Sequence, residues 1–276
     1  FTHGDEVSFN QTWGHVLEEA LGQAGVNAEV LNFGVCGYGM DQAYLRWKKT
    51  GRFFSPDIVI FGFQTENMQR NLNIIRIFYC PNDDIFFSKP RFIMKGSNVE
   101  LINTPCIEPQ NILAIMRNLK TWDLVQYEYW ALPSNYEQKL LHKSKLFCVM
   151  MNLLTKERTR DGCVGEFTRL DKEPVQLALK IVDMFKKDVE AAGSKFFVLY
   201  LPQTPTLGRF LAGTAPFEAN ILKKLDETGV VIHPERDLAQ QLKKTPWRAG
   251  KFYHYSPEES NVLGQTVARY ILEHRN

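Results

Sequence analysis

His254 stands in the run Phe252-Tyr253-His254-Tyr255-Ser256-Pro257, immediately before an apolar-periodic segment that closes the chain. Ser256-Pro257 makes a good helix start, with proline at the first helical position. A helix start of that kind fixes the backbone beside the ring and presents the imidazole, as a general base requires. A lone histidine is also a common structural residue, and both readings stand on this feature alone. Two further polar positions fall where an open α/β sheet puts its chemistry, beyond the carboxyl ends of strands. One is Gly34-Val35-Cys36-Gly37-Tyr38-Gly39, where glycines let backbone N–H groups turn toward a substrate oxygen. Taken alone the run reads first as a tight β-to-α turn, and it is not the G-x-G-x-x-G of a dinucleotide site. The other is Gly62-Phe63-Gln64-Thr65-Glu66-Asn67, where the Asn67 amide is either an oxyanion donor or the cap of the next helix. Glu66 is a possible acid with no second carboxylate at a recognisable spacing.

The remaining five histidines carry weaker signals. His3 lies near the candidate site and can line it, His15 and His274 fall on helix surfaces, His142 in an irregular region and His233 after a strand. None forms a metal-binding pattern. The five cysteines (Cys36, Cys80, Cys106, Cys148, Cys163) are odd in number and far apart, which indicates neither a zinc site nor a disulfide scaffold. Free thiols in a reducing compartment and an exported protein with one or two bridges both remain open, so localisation is not fixed.

The elements that must position these groups follow an α/β rhythm. Trp13, Val16, Leu17, Ala20, Leu21 and Ala24 repeat at helical spacing within Gln11 to Gly25. Ala28 to Gly34 then reads as a short strand, and Asp41 as the cap of a helix from Gln42 to Lys49. Ile58 to Phe63 is wholly apolar and reads as a parallel strand buried on both faces. From Phe78 the rhythm breaks. A hairpin is expected around Gly96-Ser97-Asn98, followed by helices rich in Trp122, Tyr127, Tyr129, Trp130 and Tyr136, so residues 78–165 read as an insertion or cap. After Asp171 come a long helix closed by Gly193, the strand Lys195 to Leu201, a helix from Pro216 to Asp226, a short strand at Val230 to Ile232, and the closing helix Pro257 to His274. The fold class expected is α/β, a single domain over residues 1–276 with a mostly parallel sheet.

With 44% hydrophobic and 23% charged residues the chain can bury a real core. A net charge of +2, with lysines and arginines interleaved among acids, gives no footprint for nucleic acid. No apolar run approaches the ~20 residues of a transmembrane helix. The chain begins without Met or a leader pattern, opening as if cut inside a motif.

Taken together, these blocks resemble the SGNH hydrolases, also called the GDSL esterase/lipase family. Phe1-Thr2-His3-Gly4-Asp5-Glu6 and Thr12-Trp13 match the continuation of the family's first block, whose Gly-Asp-Ser would occupy the three positions before Phe1. Asn32 to Gly39 is similar to the second block, Gly62 to Asn67 to the third, and His254-Tyr255-Ser256-Pro257 to the last. The resemblance implies a three-layer α/β/α, flavodoxin-like fold whose first strand is missing here. It implies a serine nucleophile upstream of residue 1, His254 as general base, and Gly37 and Asn67 as oxyanion donors, with His3 and Tyr38 lining the substrate site. No metal or cofactor is implied. The expected activity is hydrolysis of a small-molecule or carbohydrate ester. The alternatives are a polysaccharide O-acetyltransferase using the same residues, or a non-catalytic binding domain that kept the fold. Three departures stand out. The serine is absent from the chain, Met68 follows Asn67, and Lys251 and Phe252 occupy the positions three and two before the histidine, where an acid is usual. The resemblance therefore leaves the imidazole to a backbone carbonyl, or to Asp237 or Glu258 approaching in space.

Overall fold

The structure, a computed structural model, describes residues 1–81, 85–131, 144–154, 168–248 and 253–274. In chain order its helices are α1 (Trp13–Gln23), α2 (Met40–Lys49), α3 (Thr65–Arg70), α4 (Arg76–Tyr79), α5 (Pro109–Arg117), α6 (Lys145–Leu154), α7 (Glu173–Ala191), α8 (Thr204–Leu211), α9 (Ala219–Asp226), α10 (Glu235–Leu242) and α11 (Pro257–Glu273). Its strands are β1 (Ile58–Phe63), β2 (Arg91–Lys95), β3 (Asn98–Ile102), β4 (Lys195–Tyr200) and β5 (Val231–Ile232). Two compact units emerge. One comprises Phe1–Tyr38, Ala43–Thr65 and Val182–Asn276, the other Gly39–Gln42 and Glu66–Ile181. The second contains the expected insertion 78–165 and extends beyond it on both sides.

The first unit is built on a parallel sheet of order β1-β4-β5, with Ile58 opposite Lys195 and Phe63 opposite Tyr200. Strand alternation sends Leu199 and Ile232 to one face, where they meet Leu17 and Leu21 of α1 and Leu263 and Val267 of α11. Those helices can close up because α11 carries Gly264 at the contact. A Cβ there would lie 2.7 Å from the Val16 Cβ and 2.8 Å from the Trp13 carbonyl oxygen. On the other face Phe185 of α7 packs among Tyr44, Phe61 and Phe196, at ring-centroid distances of 5.5, 5.6 and 5.1 Å. This is an α/β unit with helices on both faces of a small parallel sheet, an arrangement compatible with a three-layer fold.

Three local expectations change. Ala28 to Gly34 forms no strand, since a strand exists only with a ladder partner and these residues have none among those described. Ile58, Val59 and Ile60 are half-buried rather than buried on both faces: among the described residues β1 pairs with β4 along one edge. Asp41 does not cap α2 but sits inside its first turn. The capping is done from a distance by Asn71, whose Oδ1 accepts from the N–H of Met40 (3.0 Å) and of Asp41 (3.2 Å). The helices α8 and α10 were not expected.

In the second unit β2 and β3 form the expected hairpin around Gly96-Ser97, with Gly96 at φ +61. Among the described residues the aromatic segment holds two short 3-10 turns, Leu119–Thr121 and Val125–Tyr127; Tyr136, His142 and Cys163 lie outside the described residues. A buried carboxylate organises this region. Glu128 accepts from the N–H groups of Ile74 (2.6 Å) and Ile75 (3.0 Å), and burial pushes its carboxyl up to about 7 against those hydrogen bonds and the Arg91 charge. Arg91 itself bonds the Leu72 carbonyl and Glu173, and Lys89 pairs with the fully buried Asp41.

Candidate functional site

The site is best built outward from His254. Ser256 caps α11 in a capping box, its hydroxyl accepting from the Glu259 N–H (3.3 Å) while the Glu259 carboxylate accepts from the Ser256 N–H (2.8 Å). Buried Arg248 bridges that carboxylate (2.8 Å) and the carbonyl oxygen of His254 (2.7 Å). On the other side Tyr255 donates its hydroxyl to the Pro202 carbonyl at 2.9 Å. Burial, with Glu259 and Glu235 nearby, pushes the Tyr255 phenol well above its usual range, so it stays a donor. The main chain that follows a half-exposed ring is thereby fixed.

The ring meets the opposite end of the chain. His254 Nδ1 lies 2.7 Å from a carboxylate oxygen of Glu6, and the Phe1 ring stands edge-on to the imidazole at 5.1 Å between centroids. A carboxylate only accepts, so Nδ1 is the donor in this contact. Gly4 supplies the bend that brings Glu6 there. It sits at φ +85, and a Cβ would lie 2.7 Å from the Thr12 methyl carbon. Phe1, Gly4, Glu6, Trp13 and His254 line a hollow of about 10 Å³, room for one water.

Thr2 and His3 run beside two glycines. A Cβ on Gly62, in β1, would lie 2.8 Å from the Thr2 hydroxyl oxygen, and a Cβ on Gly34 would lie 2.6 Å from the His3 nitrogen. Asn32 stitches the same place, donating to the Thr2 carbonyl (2.9 Å) and accepting from the Gly34 N–H (2.8 Å). His3 donates from Nδ1 to the Gly34 carbonyl (3.0 Å) and faces Asp5 through Nε2 (3.2 Å), so its ring is committed to this loop. Gly37, at φ +76, and Tyr38 form the turn that follows, half-buried in the same unit.

Asn67 belongs to the second unit. It is the third residue of α3, not a cap, and its side-chain oxygen accepts from Arg70 at 3.4 Å. Glu66 is buried and held by Arg70 (2.9 Å) and the Tyr79 hydroxyl (3.1 Å), which occupies it structurally. The first unit alone thus joins His254 to Glu6, Phe1 and the glycine loops and holds one of the two expected oxyanion donors. Of the acids suggested for His254, Asp237 is engaged by Thr266 and Arg269, and Glu258 is exposed in the first turn of α11. Lys251 and Phe252 lie outside the described residues. Glu6 has no local sequence signal as a partner of His254, because 248 positions separate them.

Among the described residues no group of three or more His, Cys, Asp or Glu could hold a metal ion, and Cys36, Cys80 and Cys106 form no disulfide. No helix among them is long and apolar enough to cross a membrane. Comparison of this chain with protein-family models, curated proteins and solved structures gives no match.

Proposed function

We propose that this chain is the greater part of a serine esterase of the SGNH type, acting on a small-molecule or acetyl-sugar ester, with its nucleophile in the residues before Phe1. The observation that carries the reading is the seat of Phe1. Its ring touches the His254 imidazole, while Thr2 and His3 are threaded against Gly62 and Gly34 at the carboxyl end of β1. Consecutive Cα atoms are about 3.8 Å apart, so a residue directly before Phe1 lies at the same end of this unit as that imidazole. The unpaired edge of β1 supports the accompanying fold. A strand leading into Phe1 between Ala28 to Phe33 and β1 completes the flavodoxin-like sheet, and it covers Ala28, Val30, Ile58 and Ile60, now only partly buried against the core.

In this mechanism His254 Nε2 takes the serine proton as Oγ attacks the ester carbonyl, then gives it to the leaving alkoxide. The Gly37 N–H stabilises the tetrahedral oxyanion, a donor worth about 10²–10³ in rate. Tyr38 and His3 border the acyl or alcohol portion. The test is hydrolysis of a short-chain p-nitrophenyl ester by the complete protein and by its His254→Ala variant. The complete protein is expected to turn over the ester, the variant to lose about 10²–10⁴ in kcat, and residues 1–276 alone to be inert. An inert complete protein, or an H254A variant as fast as wild type, refutes the reading. Acyl transfer to an added sugar in excess of hydrolysis would identify an O-acetyltransferase instead.

A further inference from the structure

We infer that Glu6 is the positioning carboxylate of His254, so that the acid of this site comes from the chain's N-terminal loop and not from the residues preceding the histidine. The inference rests on the esterase reading for its kinetic consequence and on geometry for everything else. The Glu6 oxygen lies 2.7 Å from His254 Nδ1, the length of a charge-assisted hydrogen bond. Neither end of that bond floats. The His254 carbonyl is held by Arg248, which is locked in turn by Glu259. Glu6 follows the Gly4 bend, closed by the Val7 N–H on the Gly4 carbonyl at 3.3 Å, and precedes Thr12, which caps α1 by accepting from the His15 N–H. The two acids nearer in sequence are spent elsewhere, Asp237 on Arg269 and Thr266, Glu258 on the exposed first turn of α11.

The chemistry that follows is specific. Glu6 selects the tautomer with hydrogen on Nδ1, which leaves the Nε2 lone pair for the serine proton. As the serine Oγ–carbon bond forms, the carbonyl π pair moves onto oxygen and the hydroxyl proton moves to Nε2. The resulting imidazolium is stabilised by the Glu6 carboxylate, which stays ionised throughout. When the tetrahedral adduct collapses, the Nε2 proton leaves with the alkoxide, and water repeats the sequence to release the acid. A glutamine at position 6 removes the carboxylate's hold on the Nδ1–H tautomer, because its amide donates as well as accepts. With the N–H₂ turned toward Nδ1 the proton moves to Nε2, where it blocks the base.

The experiment compares Glu6→Gln, Glu258→Gln and wild type in the complete protein, by p-nitrophenyl ester kinetics and by ¹⁵N-resolved NMR of the histidine rings. E6Q is expected to lower kcat by about 10-fold to 10⁴-fold, the upper end being the cost of an Asn in place of a buried triad Asp. Glu6 is 60% exposed, which argues for the lower part of that range. KM should change little, and the His254 Nδ1–H tautomer should give way to Nε2–H. E258Q should leave both readouts as in wild type. If E6Q keeps the Nδ1–H tautomer, or if E258Q is the variant that loses it, the inference is overturned whatever the activity. A complete protein that is inert, but whose His254 tautomer still switches in E6Q, would sink the esterase reading and leave the pairing standing.

Discussion

His254 and His233 both face carboxylates, and the number of carboxylates separates them. His254 meets Glu6 at Nδ1, and on the esterase reading Nε2 is the nitrogen that takes the serine proton. His233 meets two, with Nδ1 2.9 Å from Glu235 and Nε2 2.7 Å from Asp226, so no lone pair remains for a substrate. The Glu235 hydrogen bond first, reinforced by both negative charges against partial burial, raises the His233 imidazole from 6.5 to about 9. Because the folded value is the higher one, the imidazolium stabilises the fold in full below about pH 6.5, and that contribution is lost as pH rises through about 9. The site is 41% exposed, so screening by solvent and salt reduces the effect. The urea midpoint of wild type should therefore fall from pH 6 to pH 10, and His233→Gln should flatten that fall. Equal slopes in the two proteins would show that the ion pairs contribute nothing. The sequence distinguished the pair only in part. Ser256-Pro257 marked His254 as presented, but Glu6 and Asp226 are brought in by folding, and His233 reads in sequence as nothing more than a residue after a strand.

Element by element, periodicity was the dependable signal and partnership the missing one. The spacing of Trp13, Leu17 and Leu21, and of Leu263, Val267 and Ile271, gave α1, α11 and the face each buries. It could not reveal that Gly264 lies where the two helices touch, since a glycine inside a helical pattern reads from sequence as a mild defect. In the structure it is a requirement: alanine would put its methyl 2.7 Å from the Val16 Cβ and 2.8 Å from the Trp13 carbonyl oxygen, and the latter is backbone that cannot rotate away. Gly264→Ala should destabilise by about 1–3 kcal/mol, the usual cost of overpacking a core, although alanine is the better helix former by about 1 kcal/mol. A melting temperature equal to or above wild type would mean the helices slide apart at little cost. Asn71 and Ala28 to Gly34 make the same point from opposite sides. Asn71 caps α2 from 30 positions away, and a strand-like segment fails to be a strand because nothing described pairs with it.

For the molecule as a whole, the α/β class was legible because apolar runs of strand length alternate with helical periods, and the limits of the second unit were not, because compactness is a property of contacts that composition does not record. The same limit applies to the sheet. Ile58-Val59-Ile60-Phe61-Gly62-Phe63 has the composition of a strand covered on both sides, yet β1 pairs along one edge and leaves Ile58, Val59 and Ile60 half-buried. On the esterase reading that edge receives the strand carrying the nucleophile, which makes stability and activity two consequences of one segment. Full burial of an aliphatic side chain is worth about 1.5–3 kcal/mol, so completing the cover of Val30, Ile58 and Ile60 should contribute on the order of 2–4 kcal/mol. Extending the chain through the residues before Phe1 should therefore raise the urea midpoint and also the denaturant slope, because more surface is exposed on unfolding. A rise in both together with the appearance of ester hydrolysis ties fold and chemistry to the same strand. A rise in both without hydrolysis keeps the sheet and discards the catalysis, and an unchanged midpoint and slope discards the strand as well.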